Sequence, residues 1–559
     1  AARPALVAQS VSGKSKVRSL NDPTPADTFD YVIVGAGAAG CVLAARLTED
    51  PDVTVCVLES GPPDTHPLIR IPAGVVKLLF NPKVAWQFRT LPSEGTAGRP
   101  IFAPQGRTLG GSSSINGMIY NRGLASDYDN WAALGNPGWD YASVLPYFRK
   151  SQRRIGGPDS VYVGRDGNLP ISDNDWKSPV IEAFLAGVHA AGLPKNPDYN
   201  GQSQAGAGYM QRAIENGRRV SAAHAFLKPA MRRPGLSVRT DAHVTRIVFE
   251  NKRAVGVRFE SNGRSCEVRA RREVILSAGA LNTPKLLQLS GVGPGELLQS
   301  HGIPVVLDNR AVGQNLQDHY GTRTVVRVRN CLTANNLARW PWLALECMKW
   351  VLGRPSILGL ASSLAYVFWK SSPGRTEPDL QFVLTPISFK HGQFGVLDTF
   401  PGMSLGVWAH RPRSRGFVRL QSPDPQAAPL IQPNYLSDEE DRRVHIAGVR
   451  LTRQFLGTKE LEYFIEREEV PGRDVQSDEE ILDFARRTGS TIYHFCGTCR
   501  MGPAGDPAAV VGPDLRVHGL ENLRVVDASI MPLIPSGNTY APTLMIAEKA
   551  ADMIRRAHR

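Results

Sequence analysis

The chain has 559 residues, more than the roughly 250–300 at which a single hydrophobic core stops growing, so two domains are expected. Its 42% hydrophobic and 21% charged residues exclude a disordered or fibrous chain. The net charge of +13 is spread without a long basic run, which argues against a nucleic-acid-binding protein.

Residues 1–28 are small, polar and basic, and this composition predicts a flexible N-terminal lead. A cleaved targeting segment stays open as an alternative for this part of the chain. The sequence contains no run of about 18 apolar residues, so no membrane-spanning helix is predicted. We therefore expect a protein that is cytoplasmic or peripheral to a membrane.

The first predicted strand, Asp30–Val34, runs into a glycine-rich turn over Gly35–Gly40. A helix is predicted from Cys41 onwards, and a second strand over Val53–Leu58 ends in Glu59. A G-x-G-x-x-G turn between a strand and a helix, with an acidic residue about 20 positions further on, is typical of a dinucleotide site.

The glycines of that turn and the acidic residue each have a physical role in such a site. Gly35 allows the tight turn, Gly37 lets the backbone approach a pyrophosphate, and Gly40 permits close packing of the helix. The free N–H groups at the helix start can bind phosphates, and Glu59 can accept hydrogen bonds from ribose hydroxyls.

Two later strands are expected to return the chain to the first sheet, and the long segment between them, 319–489, has its own mixture of elements. The predicted returning strands are Glu273–Gly279 and Leu523–Ala528. Within 319–489 the pattern predicts strands over Asp379–Thr385, Leu405–Ala409 and Gly416–Leu420, and helices over Asp441–Phe455 and Asp478–Arg487. The inserted segment is therefore predicted to form a second domain that covers the substrate.

Three further motifs carry a family resemblance. They are Gly106-Arg-Thr-Leu-Gly-Gly-Ser-Ser-Ser-Ile-Asn116, the segment Gly279–Gly293, and Gly313-Gln-Asn-Leu-Gln-Asp-His319. They resemble the signature motifs of the glucose–methanol–choline oxidoreductases, over the chain from about Phe29 to its C-terminus. In the second motif, Pro284 is expected to start a helix at its first turn.

The resemblance implies an α/β FAD-binding domain, Rossmann-like and similar to p-hydroxybenzoate hydroxylase, interleaved with an α+β substrate domain on an antiparallel sheet. The predicted FAD-binding segments are 29–160, 225–318 and 490–559, and the predicted substrate-domain segments are 161–224 and 319–489. Relatives with a histidyl flavin linkage carry His where this chain has Ala103, so non-covalent FAD is expected.

The resemblance also assigns the residues that contact the cofactor. Besides the first glycine turn and Glu59, they are Arg107, Gly110, Gly111, Ser112, Asn116, Gly117, Val244, Asp527, Ala528, Asn538 and Thr539. No metal site is expected.

The C-terminal part is expected to carry the chemistry. His494 precedes a Gly-Thr-Cys-Arg-Met-Gly run and resembles the catalytic histidine of the family, which accepts the hydroxyl proton of an alcohol as hydride leaves the carbon. Tyr540 occupies the position of the second polar residue of the pair, usually Asn or His in relatives. A phenol with a pKa near 10 is a poor base, so Tyr540 is expected to shape the pocket opposite His494.

The leading interpretation is an FAD-dependent alcohol dehydrogenase or oxidase that passes electrons to O2 or to a quinone- or dye-type acceptor. A lyase or a decarboxylase of the same fold, with Arg411 facing a carboxylate, and a non-catalytic FAD-binding scaffold remain as alternatives. The Cys496/Cys499 pair is interpreted as structural. The tryptophan-rich segment 339–352 is expected to be buried, with a peripheral membrane anchor as its alternative. The sequence does not indicate an oligomeric state.

Overall fold

The computed structural model describes residues 27–390 and 395–558. The first of two large sheets has a parallel part and an antiparallel extension that share one long strand. In spatial order its strands are Leu236–Arg239, Val55–Leu58, Asp27–Val34, Arg264–Leu276, Arg253–Ser261 and His243–Glu250, and Leu523–Val525 pairs with Arg264–Leu276. The predicted α/β domain is confirmed.

The parallel part is a buried sheet built from β-branched residues. Val32 pairs with Cys56 on one side and with Val274 on the other, and all three side chains are fully buried. The helix Ala38–Leu47 packs over this sheet beside the C-terminal helix Tyr540–Ala557. The Arg46 guanidinium, 2.7 Å from the buried Glu548 carboxylate, joins these two helices.

The second large sheet is entirely antiparallel, as predicted. Its strands in spatial order are Ile465–Val470, Tyr320–Val328, Gly402–Ala409, Leu380–Thr385, Ala365–Trp369 and Gly206–Tyr209, and Ser490–Thr491 pairs with Tyr320–Val328. The predicted helices of this domain are confirmed as Glu439–Leu456 and Asp478–Thr488. At Gly448 a Cβ would lie 2.8 Å from Val407, so the first of them packs closely on the sheet.

The remaining elements surround these two sheets. The other α-helices of four or more residues are Pro67–Arg70, Val75–Leu78, Ala125–Ala133, Tyr141–Ser151, Pro179–Ala190, Gly279–Leu289, Gly295–Ser300, Ala334–Leu337 and Trp342–Val351. A three-stranded sheet consists of Gln314–Leu316, Gly416–Arg419 and Leu430–Gln432. Within 27–390 and 395–558, no helix is both long and apolar enough to span a bilayer.

Three expectations differ from the structure. Asp27 and Thr28, assigned to the N-terminal lead, belong to the first strand, whereas residues 1–26 of that lead lie outside the described part of the chain. Pro284 does not start a helix but lies inside Gly279–Leu289. The Ala280 carbonyl that Pro284 leaves without an N–H donor accepts the Thr498 hydroxyl at 2.6 Å instead, and this contact makes the internal proline tolerable.

The third difference concerns the tryptophan-rich segment, which was expected to be buried and is largely exposed. Its helix, Trp342–Val351, has Glu346 as its one buried residue, and Trp340 is 83% exposed. Local composition showed that the segment is apolar but could not indicate whether another element covers it.

Candidate active site

One cavity of about 1190 Å³ lies between the two large sheets. On one side it is bounded by the carboxyl ends of parallel strands at Val34 and Leu58, the edge at which open α/β sheets bind ligands. On the other side it is bounded by Gln381, Gly406 and Trp408 of the antiparallel sheet. A ligand in this cavity therefore contacts both domains.

The first glycine turn leaves a space beside a helix start. Gly35 has a φ of +99°, and a Cβ there would lie 2.5 Å from the Ser277 carbonyl oxygen. A Cβ on Gly40 would lie 1.9 Å from the Gly35 carbonyl oxygen, so both positions require glycine. A Cβ on Gly37 would meet no protein atom closer than 3.7 Å and would occupy the cavity. The absence of a side chain at Gly37 thus leaves room for a ligand.

A second glycine loop closes over the first. Gly110 and Gly111 have φ values of +88° and +51°, and a Cβ on Gly111 would lie 2.8 Å from the Gly37 Cα. The Gly110 N–H donates to the Ala36 carbonyl at 2.8 Å. Gly37, the N-cap residue of the helix Ala38–Leu47, has no side chain that could cap it. The two loops and this helix start form a cradle of backbone groups suited to a pyrophosphate.

Most of the predicted cofactor residues line this cavity, and three do not. The lining ones are Gly35, Gly37, Glu59, Gly111, Ser112, Asn116, Gly117, Val244, Asp527, Ala528, Asn538 and Thr539. Gly40 and Gly110 lie behind the cradle and shape it. The Arg107 guanidinium lies outside the lining, 4.5 Å from the centroid of the Trp86 ring.

Glu59 is already engaged by the backbone of the first domain. Its carboxylate accepts the Ala36 N–H at 3.0 Å and the Gly61 N–H at 2.9 Å, and burial raises its pKa to about 7. Each oxygen retains a lone pair for a ribose hydroxyl. Glu59 therefore fixes the glycine turn and stays available to a nucleotide.

His494 lies at the end of a chain of buried polar groups. Its Nδ1 is 2.8 Å from Nδ1 of His319, and its Nε2 is 3.0 Å from Nδ2 of Asn538. His319 in turn places its Nε2 2.7 Å from the His410 carbonyl oxygen. Burial lowers the pKa of His319 to about 4, and burial together with the nearby His319 lowers the pKa of His494 well below its usual range.

These contacts determine where the protons sit. A carbonyl oxygen only accepts, so His319 carries its proton on Nε2 and its Nδ1 is an acceptor. His494 must then donate from Nδ1, which leaves its Nε2 unprotonated. Asn538 donates its amide N–H to that nitrogen. The nitrogen of His494 beside Asn538 is thus the one able to accept a proton.

Asp318 fixes the backbone of His494. Its carboxylate accepts the His494 N–H at 2.7 Å and the hydroxyls of Thr491 and Tyr435. Sequence reasoning assigned no role to Asp318 or His319, although both belong to the Gly313–His319 motif. The sequence feature that could have indicated a role is the Asp-His pair directly before the strand Tyr320–Val328. Only the fold brings this pair into contact with His494.

Tyr540 lines the cavity but does not pair with His494. It is the first residue of the C-terminal helix, and its hydroxyl is buried without a hydrogen-bond partner among the described residues. Its polar surroundings include Ser113 and Arg219, and burial raises the pKa of its phenol. Asn538, in the loop before the helix, is the residue of this segment that lies beside His494.

Arg411 is held by ion pairs outside the cavity, and the two cysteines of the Cys496/Cys499 pair are buried. Arg411 lies outside the cavity lining, 2.8 Å from the buried Asp127 and 3.2 Å from Glu377. Cys496 and Cys499 are free buried thiols, and burial raises the pKa of both above the usual range, which keeps them protonated. The described residues contain no group of His, Cys, Asp and Glu arranged to bind a metal.

Comparison with known proteins identifies the family. The N-terminal and C-terminal models of GMC oxidoreductases match residues 29–321 and 412–547. The chain is a GMC oxidoreductase. It is 43% identical over 533 residues to the alcohol dehydrogenase [acceptor] of Pseudomonas putida, across 94% of this chain and 96% of the relative. It is 43% identical over 565 residues to human mitochondrial choline dehydrogenase, across 99% and 94%.

Solved structures agree with this assignment. Pyridoxine 4-oxidase from Mesorbium loti superimposes with a TM-score of 0.86 at 33% identity, over 95% of this chain and 99% of the other. A formate oxidase superimposes with a TM-score of 0.90 at 28% identity, over 96% and 99%. This GMC oxidoreductase is an FAD-dependent enzyme, and the two glycine loops, the uncapped helix start and Glu59 form a site that fits FAD.

Proposed function

We propose that this GMC oxidoreductase oxidises the CH–OH group of an alcohol, with His494 as the general base. The observation that supports this most is the unprotonated Nε2 of His494, held between the cavity and the Asn538 amide. A neutral imidazole can accept the hydroxyl proton of an alcohol once the Asn538 amide releases its Nε2 lone pair. The low pKa of His494 keeps it neutral at pH 7.

In the proposed reaction the alcohol oxygen binds between His494 and Asn538. His494 Nε2 takes the hydroxyl proton, while its Nδ1–H stays directed at His319 and maintains the ring orientation. The Asn538 amide, released from Nε2, donates to the substrate oxygen. Bound FAD supplies the two-electron acceptor for the hydride that leaves the carbon, and a carbonyl compound results. His319 and Asp318 act as positioning residues.

The charges around the cavity argue against a positively charged alcohol as substrate, because Arg323, Lys390 and Arg487 are among its lining residues. Among its described lining residues, the carboxylates are Glu59 and Asp527. Both belong to the cofactor side, and Asp527 already accepts hydrogen bonds from Gly279, Thr283 and Ser529. The substrate side has apolar residues such as Val383, Leu360 and Trp408. An alcohol with a fixed positive charge would find no carboxylate there.

The structure does not show the Arg411 contact on which the decarboxylase alternative rests. Arg411, proposed on sequence grounds to face a carboxylate substrate, is paired with Asp127 and Glu377 and does not line the cavity. His494 has the position and the protonation required of a base in alcohol oxidation. We therefore propose no lyase or decarboxylase activity.

Anaerobic mixing of the FAD-loaded enzyme with a panel of alcohols tests the proposed function. Loss of visible flavin absorbance is expected with neutral primary aliphatic or aromatic alcohols, and much slower loss with choline at equal concentration. Admission of air then separates an oxidase, in which the absorbance returns rapidly, from a dehydrogenase that needs a quinone or dye. Flavin that keeps its absorbance with every alcohol of the panel would refute the proposal.

A Tyr540→Phe substitution is expected to change little. Its hydroxyl is buried without a hydrogen-bond partner, so its removal should cost less than the ~1 kcal/mol of an ordinary hydrogen bond. The flavin-reduction rate should stay within about fivefold of the wild type. Tyr540→Asn, measured alongside, should widen the pocket and speed the oxidation of primary alcohols.

The rate of anaerobic flavin reduction, measured for each variant with the same alcohols, tests the role of Tyr540. A Tyr540→Phe rate as low as that of His494→Ala would mean that the phenol takes part in the chemistry, and the division of roles given above would then be wrong.

A further inference from the structure

The segment Arg339–Pro355 forms an exposed apolar surface on the second domain. Large exposed apolar side chains elsewhere in the described residues are scattered, whereas this short segment contains a cluster of them. The cluster consists of Trp340, Trp342, Leu343, Leu345, Met348, Val351 and Leu352. Exposed clusters of this kind mark interaction sites.

The helix Trp342–Val351 turns its polar side towards the protein. Glu346 is buried and accepts the Ile357 N–H at 2.9 Å, and the Trp350 indole donates to the Gly217 carbonyl at 2.7 Å. At 100° per residue, these two positions lie on one side of the helix. The opposite side is exposed and wholly uncharged, and it consists of Ala344, Leu345, Cys347, Met348, Val351 and Leu352. The arrangement reverses that of an ordinary surface helix.

This surface lies at one end of the cavity. Ala338 and Leu343 belong to the cavity lining, and so does Val396, which is also an exposed apolar residue. Next to it, a Cβ built on Gly395 would lie 3.7 Å from the ring of the exposed Phe80. Apolar side chains from three separate segments are therefore exposed around the same opening.

The charges of the segment indicate what it contacts. Its one carboxylate, Glu346, is buried and lies 2.7 Å from Lys349, so it contributes no exposed negative charge. Arg339 and Arg354 are exposed and form no ion pair with a described carboxylate. Two copies of this surface placed face to face would bring like charges together. A negatively charged apolar partner fits better.

We propose that this surface, defined as Trp340, Trp342, Leu345, Met348, Val351 and Leu352 with Arg339 and Arg354, docks on an anionic phospholipid bilayer. The helix lies in the plane of the membrane interface. Its apolar side enters the acyl region, the tryptophans lie at the headgroup level, and the arginines contact lipid phosphates. The cavity opening then faces the bilayer. If the proposed function holds, alcohols dissolved in the membrane reach His494 by this opening.

Co-sedimentation of the full-length FAD-loaded enzyme with vesicles tests the docking without any turnover. The probes are phosphatidylcholine vesicles with and without phosphatidylglycerol. Binding is expected with the anionic vesicles and should weaken as salt rises. Met348→Glu/Val351→Glu should lower the partition constant at least tenfold. Arg339→Gln/Arg354→Gln should lower binding to anionic vesicles about tenfold and reduce its salt dependence.

A matched control separates the surface from net charge. Met231→Glu/Val161→Glu makes the same substitutions at positions 45% and 68% exposed, compared with 54% and 70% for Met348 and Val351. It should bind anionic vesicles as the wild type does, apart from a small effect of net charge. Failure of the wild type to bind, or equal losses in both double variants, would overturn the proposal. So would a wild-type dimer that ignores vesicles and that Met348→Glu/Val351→Glu converts to a monomer.

Discussion

His494→Ala is expected to slow anaerobic reduction of the bound flavin by about 10²- to 10⁴-fold, the usual contribution of a positioned general base. Within 27–390 and 395–558, the side chain supplies the only unprotonated histidine nitrogen beside Asn538. The Tyr540 hydroxyl forms no hydrogen bond with it, and His319 bonds the other nitrogen of the ring. FAD content should not change, because His494 forms its hydrogen bonds with His319, Asn538 and Asp318 and none with the glycine loops. Rapid-mixing spectroscopy measures both quantities.

His445→Gln provides the matched control for His494. His445 is equally buried, is bonded to the Thr322 hydroxyl, and does not line the cavity. Its variant should reduce the flavin at nearly the wild-type rate. A His494→Ala enzyme that reduces its flavin within threefold of this control would remove His494 from the role of base.

The lowered pKa of His494 allows a further test on the wild-type enzyme, the pH dependence of flavin reduction. Because its pKa is lowered well below the usual range, the neutral and active form persists as the pH falls from 8 to 6.5. The flavin-reduction rate should therefore stay level over this interval and decline only at lower pH. A decline centred near pH 6.5 would show that His494 titrates as an ordinary histidine and that the buried chain with His319 does not tune it.

Gly37→Val is expected to leave the fold intact and to weaken FAD binding by about 100-fold or more, equivalent to about 2.7 kcal/mol. The Gly37 backbone, with φ of −72° and ψ of −165°, is extended and lies outside the left-handed region that favours glycine. Its Cβ would lie 3.7 Å from the nearest protein atom and would project into the cradle between the two glycine loops. The valine side chain is therefore expected to overlap with the cofactor and not with protein atoms. Fluorescence titration of the apoprotein with FAD measures the change.

Gly374→Val is the control for Gly37. A Cβ at Gly374 meets no atom within 4 Å, its φ lies outside the left-handed region, and it does not line the cavity. Both apoproteins should unfold at the same temperature, whereas only Gly37→Val should be purified without flavin. Full FAD occupancy in Gly37→Val would place the pyrophosphate away from this turn.

Much of the FAD-binding domain could be predicted from sequence because its signals are local. A β-branched run, three glycines at fixed spacing and an acidic residue after the next strand prescribe a strand, a turn and a helix start. The backbone conformations and close approaches at Gly35 and Gly40 agree with the roles assigned to them. The roles of Gly37 and Glu59 towards FAD remain proposals, supported by the open space at one and the free lone pairs of the other.

The sequence by itself determined the family, the cofactor, the antiparallel second domain and His494 as the candidate base. Tertiary structure alone decided the partners of that base, because His319 and Asp318 are remote from His494 in sequence and become its neighbours only through strand pairing. It also decided that Asn538 lies beside His494, whereas the Tyr540 hydroxyl lies near Ser113 and Arg219. Tertiary structure likewise decided that the segment 339–352 is exposed. An apolar helix is buried only where another element covers it, and local composition carries no information about that element.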